Sequence, residues 1–119
     1  MQVFENVLTD RGSRYAVSGG PVSGREDVRA FLKALTRRKK FAKASHNSWA
    51  VLLPDGPAKG DDGEAGAGAV ILQKLEGAGL RGELVVVTRW FGGTHLGGDR
   101  FRRVAEAVDH YLAHREAPA

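Results

Sequence analysis

Cysteine is absent from the 119 residues, so neither a disulfide nor a zinc–thiolate site can form. That absence is compatible with a reducing compartment. Long apolar runs are missing too: none approaches the roughly 18 residues that crossing a bilayer requires. The opening residues, Met1-Gln2-Val3-Phe4-Glu5-Asn6, offer neither the basic segment nor the apolar core of a signal peptide. No internal repeat or low-complexity tract is visible. These absences lead us to expect a cytoplasmic protein with no membrane partner, no bound metal and no cofactor. The length argues for a single domain over residues 1–119 with one modest core.

What is present is basic. Eighteen Lys and Arg against fourteen Asp and Glu give a formal net charge of +4 and a pI of about 9.8. A basic surface favours acidic partners such as nucleic acid, although a soluble, arginine-rich surface accounts for the same numbers.

The apolar pattern sets the element order. Residues 2–8 and 13–18 alternate as two strands, with Asp10-Arg11-Gly12 supplying the turn of a hairpin. Ser23 and Glu26 have the spacing of a capping box and open a helix with Val28, Phe31, Leu32 and Leu35 on one stripe. That helix is expected to end in Arg37-Arg38-Lys39-Lys40, where cations meet the negative end of the dipole. Residues 48–53 read as a strand, 54–60 as a Pro/Gly loop, 65–76 as a helix stopped by Gly77-Ala78-Gly79, and 83–90 as a strand. A last helix spans Asp99 to His114, with Asp99 as its N-cap. The order ββαβαβα implies an α+β two-layer sandwich, a four-stranded sheet with helices on one face.

Four groups of residues could carry function. Arg37, Arg38, Lys39 and Lys40, with Lys43 near, exceed what capping needs and are a candidate RNA contact; a solvated helix end is the alternative. Asp61, Asp62 and Glu64 around Gly63 precede a helix, where carboxylates bond free N–H groups; an acid/base or metal role is the rival, though the spacing of a calcium loop is lacking. His46, followed by Asn47, could order a turn through a backbone carbonyl, or act as a general base if Ser45, Ser48 or Thr88 came within reach.

The fourth group is the stretch from Thr88 to Phe101. It runs from a β-branched strand through two glycine pairs, Gly92-Gly93 and Gly97-Gly98, into the last helix. Arg89 could pair with the acidic loop or bind an anion where the helix begins. His95 and Arg100 are exposed candidates beside it. Trp90 and Phe91 offer stacking faces suited to single-stranded nucleic acid.

These pieces together resemble the IMPACT / YigZ family. The resemblance rests on Ala44-Ser45-His46-Asn47, on Asp61-Asp62-Gly63-Glu64, on the run from Gly68 through Ile71, Leu72, Leu75, Leu80, Val86 and Val87, and on Arg89-Trp90-Phe91-Gly92-Gly93-Thr94-His95-Leu96-Gly97. Bacterial members usually carry Pro-Ser after the Gly-Glu pair, where this chain has Ala65-Gly66. Arg-Trp-aromatic-Gly-Gly followed by Asp99-Arg100-Phe101 is closer to the eukaryotic form.

The resemblance implies a ribosomal-protein-S5-domain-2-like fold and a part in the control of translation, through a ribosome, RNA or a translation-regulatory protein. It places His46, Asn47, Asp61, Asp62, Gly63, Glu64, Arg89, Gly92, Gly93, His95 and Arg100 in one binding face. Neither the RWD domain of eukaryotic members nor the ferredoxin-like second domain of bacterial ones is expected within these residues. The resulting expectation is a non-catalytic binding module. A peptidase-like hydrolase using His46 with Asp62 or Glu64 is the alternative.

Overall fold

The β-branched and alternating segments pair into one antiparallel sheet. The structure, a computed structural model, describes residues 1–117. Its elements are β1 (Gln2–Asp10), β2 (Ser13–Pro21), α1 (Arg25–Arg37), α2 (Lys39–Ala42), β3 (His46–Leu53), β4 (Gly56–Gly60), α3 (Ala67–Ala78), β5 (Glu83–Trp90) and α4 (Asp99–His114). The sheet order is β1-β2-β5-β3-β4, with every neighbouring pair antiparallel. Arg11 (φ 45°) and Gly12 (φ 87°) form the two-residue hairpin turn that Asp10-Arg11-Gly12 suggests.

The sheet has five strands, where the sequence suggests four. Residues 56–60 pair with β3 in the register Leu53↔Gly56 to Trp49↔Gly60. Two glycines and Pro57 give this strand a loop composition. Pairing with β3 and burial of Ala58 supply what its propensity lacks.

The expectation of helices on one face is also corrected, because the central strands are buried on both sides. Tyr15, Val17, Ala50, Leu52, Val85 and Val87 pack beneath α3 and α4 with Ile71, Leu75, Val104 and Val108. Their alternates, Ala16, Val51, Leu53, Leu84 and Val86, pack on the other face beneath Val28 and Leu35 of α1 and Phe41 of α2. Near-continuous apolar runs such as Leu84-Val85-Val86-Val87 are what a doubly covered strand requires.

Helix ends differ from expectation in detail. Ser23 bonds Asp27 through both its backbone N–H (2.8 Å) and its hydroxyl (2.7 Å), so Glu26 takes no part in the cap. Gly98, not Asp99, sits at the cap of α4, and the Asp99 carboxylate pairs with Arg11 (2.7 Å) and Arg102 (2.9 Å). The basic run does not continue α1. Arg38 is extended (φ −72°, ψ 119°), and α2 follows because the turn buries Phe41 edge-on against Trp90. Gly79 ends α3 in the left-handed region at φ 64°, as the glycines at 77 and 79 suggest.

One close approach locks α4 to the sheet. A Cβ at Gly19 would lie 2.4 Å from the Tyr111 ring and 2.6 Å from the Leu84 carbonyl oxygen. Only glycine lets Tyr111 lie flat here and donate to Glu83 (2.5 Å), which Arg115 also grips with two bonds of 2.7 Å. Burial raises the cost of ionising Glu83. The hydrogen bonds from Arg115 and Tyr111 together outweigh it and hold the carboxyl below its ordinary value. We expect Gly19→Ala to destabilise the domain by roughly 1–3 kcal/mol in urea unfolding, the range for overpacking a tight core. An unchanged midpoint would show that Tyr111 can move aside freely.

Candidate functional site

The site forms where three loops meet at one end of the sheet. Arg89 is the next-to-last residue of β5 and His46 the first of β3, and the two are register partners. The loop before α3 brings Asp61-Asp62-Gly63-Glu64 to the same end, and the β1–β2 turn brings Ser13.

A buried ion pair ties these pieces together. Arg89 Nη1 lies 2.8 Å from Glu64 Oε1, with the two side chains 6% and 3% exposed. Arg89 also donates to Ser13 Oγ from Nε and Nη2, each at 3.3 Å. The Gly92 N–H donates to the same oxygen at 3.3 Å. This convergence needs Gly92 to touch the hairpin turn: a Cβ there would lie 2.0 Å from the Gly12 carbonyl carbon.

The acidic loop divides its labour. Asp61 accepts from the N–H groups of Gly66 (3.0 Å) and Gly68 (2.8 Å), capping the start of α3. Those two bonds hold its carboxyl below the ordinary value. Asp62, with a left-handed φ of 49°, accepts from the Asn47 N–H at 2.7 Å and presents its own carbonyl to His46 Nδ1 at 2.9 Å. Glu64 turns inward to Arg89.

His46 is therefore oriented by a carbonyl. Since a carbonyl can only accept, Nδ1 carries the proton and Nε2 faces the cleft, 3.8 Å from Glu64 Oε2. Among the described residues, no hydroxyl is hydrogen-bonded to its ring. Ser48 donates to the Asp61 carbonyl (2.8 Å), Thr88 donates to Asn47 Oδ1 (2.7 Å), and Ser45 accepts from the Phe91 N–H (2.9 Å).

These residues border an open cleft of about 300 Å³ lined by His46, Gly63, Glu64, Arg89, His95 and Arg100. Six of the candidate binding residues thus meet. Asn47 and Asp62 line a hollow on the other side of the turn, and Asp61 points into the backbone of α3. Gly92 packs against Gly12, and exposed Gly93 has a left-handed φ of 94°. Phe91 is 44% exposed and its ring lies 5.1 Å from that of His95. Arg100 stacks on Phe101 at 4.4 Å and donates to the Gly97 carbonyl, with no carboxylate partner among the described residues. Among the described residues, no group of three His, Asp or Glu side chains is placed to hold a metal ion.

Two residues escape sequence reasoning. Ser13 looks like an ordinary turn residue, yet its hydroxyl is the shared acceptor for Arg89 and Gly92. Tyr15, fully buried, lies beneath the Arg89 guanidinium at 5.9 Å, and burial pushes its hydroxyl up to about 12.

The basic run lies elsewhere, at the corner between α1 and α2. Lys40 pairs with Glu5 (2.5 Å) and stands 5.3 Å over the Trp90 ring, while Arg37, Arg38 and Lys39 are exposed. Arg14 approaches the same ring at 6.0 Å.

Comparison with known proteins decides the family. The model of the Impact N-terminal domain matches residues 11–112. The chain belongs to the Impact N-terminal domain family. Protein IMPACT homolog of Schizosaccharomyces pombe is 37% identical over 102 residues, covering 82% of this chain and 36% of that protein. Protein IMPACT of Oryctolagus cuniculus is 35% identical over 117 residues, covering 91% and 36%. The Saccharomyces cerevisiae homolog is 36% identical, covering 82% and 40%. This Impact domain thus spans a little over a third of the length of those relatives.

Among solved structures, a crystal structure of a hypothetical protein superposes with a TM-score of 0.77 at 23% identity, covering 93% of this chain and 59% of that one. It shows the shared fold. The two-domain translational regulator Yih1 superposes with a TM-score of 0.54 at 32% identity, covering 89% and 43%.

The carboxylates predict an acid limb in stability. Asp61 sits below its ordinary 3.8, and Asp10, bonded by Arg11 and Arg103, falls to about 2. A folded-state pKa below the unfolded one adds stability that is complete above the ordinary value and is lost as pH falls through the folded one. We expect the urea midpoint to drop between pH 5 and pH 2, and Asp61→Asn to lower the midpoint at pH 7 while reducing that drop. An unchanged drop would mean that the Asp61 cap does not titrate with folding.

Proposed function

We propose that this Impact-family domain is a non-catalytic binding module in the regulation of translation, with residues 1–119 acting as a single unit. Its contact is a ribosome, an RNA or a translation-regulatory protein. The ribosomal-protein-S5-domain-2-like assignment implied by the motifs belongs to the same reading. The likeness to the two-domain translational regulator Yih1, together with membership of the Impact family, lends it support at the level of translation regulation.

One observation carries the nucleic-acid form of the proposal: Lys40 and Arg14 flank the partly buried Trp90 ring, and Arg37, Arg38 and Lys39 of the same basic run are exposed. Cations track phosphates and aromatic faces stack bases in single-stranded recognition.

The arrangement of the cleft favours binding over hydrolysis. A general base needs a proton donor within hydrogen-bond reach. The Ser48 and Thr88 hydroxyls donate to the Asp61 carbonyl and to Asn47, and Glu64 pairs with Arg89. The cleft instead presents Arg100 and two imidazoles at its mouth, suited to an acidic or polar ligand.

Fluorescence anisotropy with single-stranded RNA at several salt concentrations tests the reading. Contact with about four phosphates gives a log–log salt slope near −3. Replacing Arg37, Arg38, Lys39 and Lys40 together by alanine should weaken binding and flatten that slope. Absence of binding even at low salt removes nucleic acid and leaves a protein partner. Dipeptide turnover abolished by His46→Ala would overturn the non-catalytic reading itself.

A further inference from the structure

A second surface lies on the opposite side of the Asp61–Glu64 turn, between α1 and the β3–β4 hairpin. Two adjoining hollows of about 490 and 200 Å³ share Leu32 and Trp49 as walls. Val28 and Ala58 extend this apolar floor. The Trp49 indole lies flat because Gly60 leaves room for it; a Cβ at Gly60 would stand 2.3 Å from the indole nitrogen. Leu32 and Trp49 remain only partly buried, so both present apolar surface to the groove.

The rim is basic along α1. Arg25, Arg29 and Lys33 line the hollows from α1, and Arg37 continues the series. Arg25, Arg29 and Lys33 recur every fourth position, so they form a rail beside the groove with steps of about 6 Å, while Arg37 lies outside its lining. All four are exposed, and none pairs with a carboxylate among the described residues. Three like charges in such a row repel one another, and an acidic partner relieves that repulsion. One end of the groove closes at Asp62.

We infer that this groove docks an acidic peptide segment whose apolar side chains alternate with carboxylates. Same-side residues of an extended peptide recur every 6.8 Å or so, close to the step of the rail. Carboxylates then face Arg25, Arg29 and Lys33 while the intervening apolar side chains settle on Trp49 and Leu32. A polyphosphate chain fits less well, because it has no apolar groups to place on the Leu32 and Trp49 floor. Docking is through side chains rather than by an added strand: β4 is an edge strand, and Pro57 deprives it of a donor.

The test uses the whole chain and a fluorescein-labelled ten-residue peptide with glutamate at alternate positions and leucine or phenylalanine between. Anisotropy should show saturable binding, weakened at least tenfold by Arg29→Glu with Lys33→Glu. The same peptide with lysine for glutamate should bind the double variant better than the wild type. Leu32→Ser, a separate probe of the floor, should weaken the acidic peptide without changing the circular dichroism spectrum. Amide NMR shifts should concentrate in residues 25–37 and 56–60. Failure to saturate at millimolar peptide overturns the inference, as does equal affinity for the charge-reversed protein, or shifts confined to the His46 cleft. Full competition by oligo-uridine, itself abolished by the Arg29/Lys33 reversal, assigns the groove to nucleic acid and also overturns it. RNA binding through Arg38 and Lys39 is read separately, so loss of either result leaves the other standing.

Discussion

The Arg89–Glu64 ion pair is the constraint on which the site depends. It joins the end of β5 to the loop before α3, and through Ser13 it draws in the β1–β2 turn. Taking two charges out of water costs several kcal/mol per ion, recovered only when geometry and further hydrogen bonds are good. Here the guanidinium has a carboxylate on one side, a hydroxyl oxygen on the other and the Tyr15 ring face beneath. The pair adds little net stability relative to an apolar core, but removing one partner strands the other charge. It therefore specifies one arrangement of three loops more than it strengthens the fold.

The rest of the site follows from that junction. With Glu64 turned inward, Asp61 is free to cap α3 and Asp62 to fix His46 and Asn47 from two atoms, its carbonyl and its carboxylate. Thr88, the register partner of Asn47, completes the clamp from β5. The polar residues of the motif are thus largely spent on one another. What is left facing solvent is a small set: one imidazole edge of His46, His95, Arg100 and the exposed Phe91 ring. That economy is the ground on which we propose the cleft as a binding surface.

Much of this was legible in the chain. The two glycine pairs after a β-branched strand mark the site loop, and three acids within four residues before a helix mark the capping loop. The apolar stripe of α1 is plain, but its side of the sheet is not. Periodicity shows that Val28 and Leu35 are buried, not against which face, and doubly buried strands lose the alternation that would reveal it. β4 was illegible because Gly56, Pro57 and Gly60 suit a loop, and only pairing with β3 makes them a strand. Ser13 and Tyr15 were invisible because their roles depend on partners more than seventy positions away. The break after Arg37 is set by burial of Phe41, one aromatic in a charged run.

The most direct test of the account is a double-mutant cycle on the ion pair, with Glu64→Gln, Arg89→Met and the double variant compared by urea unfolding at pH 7. The account predicts that each single change costs roughly 3–5 kcal/mol, because each leaves a buried group stranded, and that the double variant costs clearly less than their sum. Costs that add to within about 0.5 kcal/mol would contradict it, placing the two side chains in independent environments and removing the junction on which the site is built.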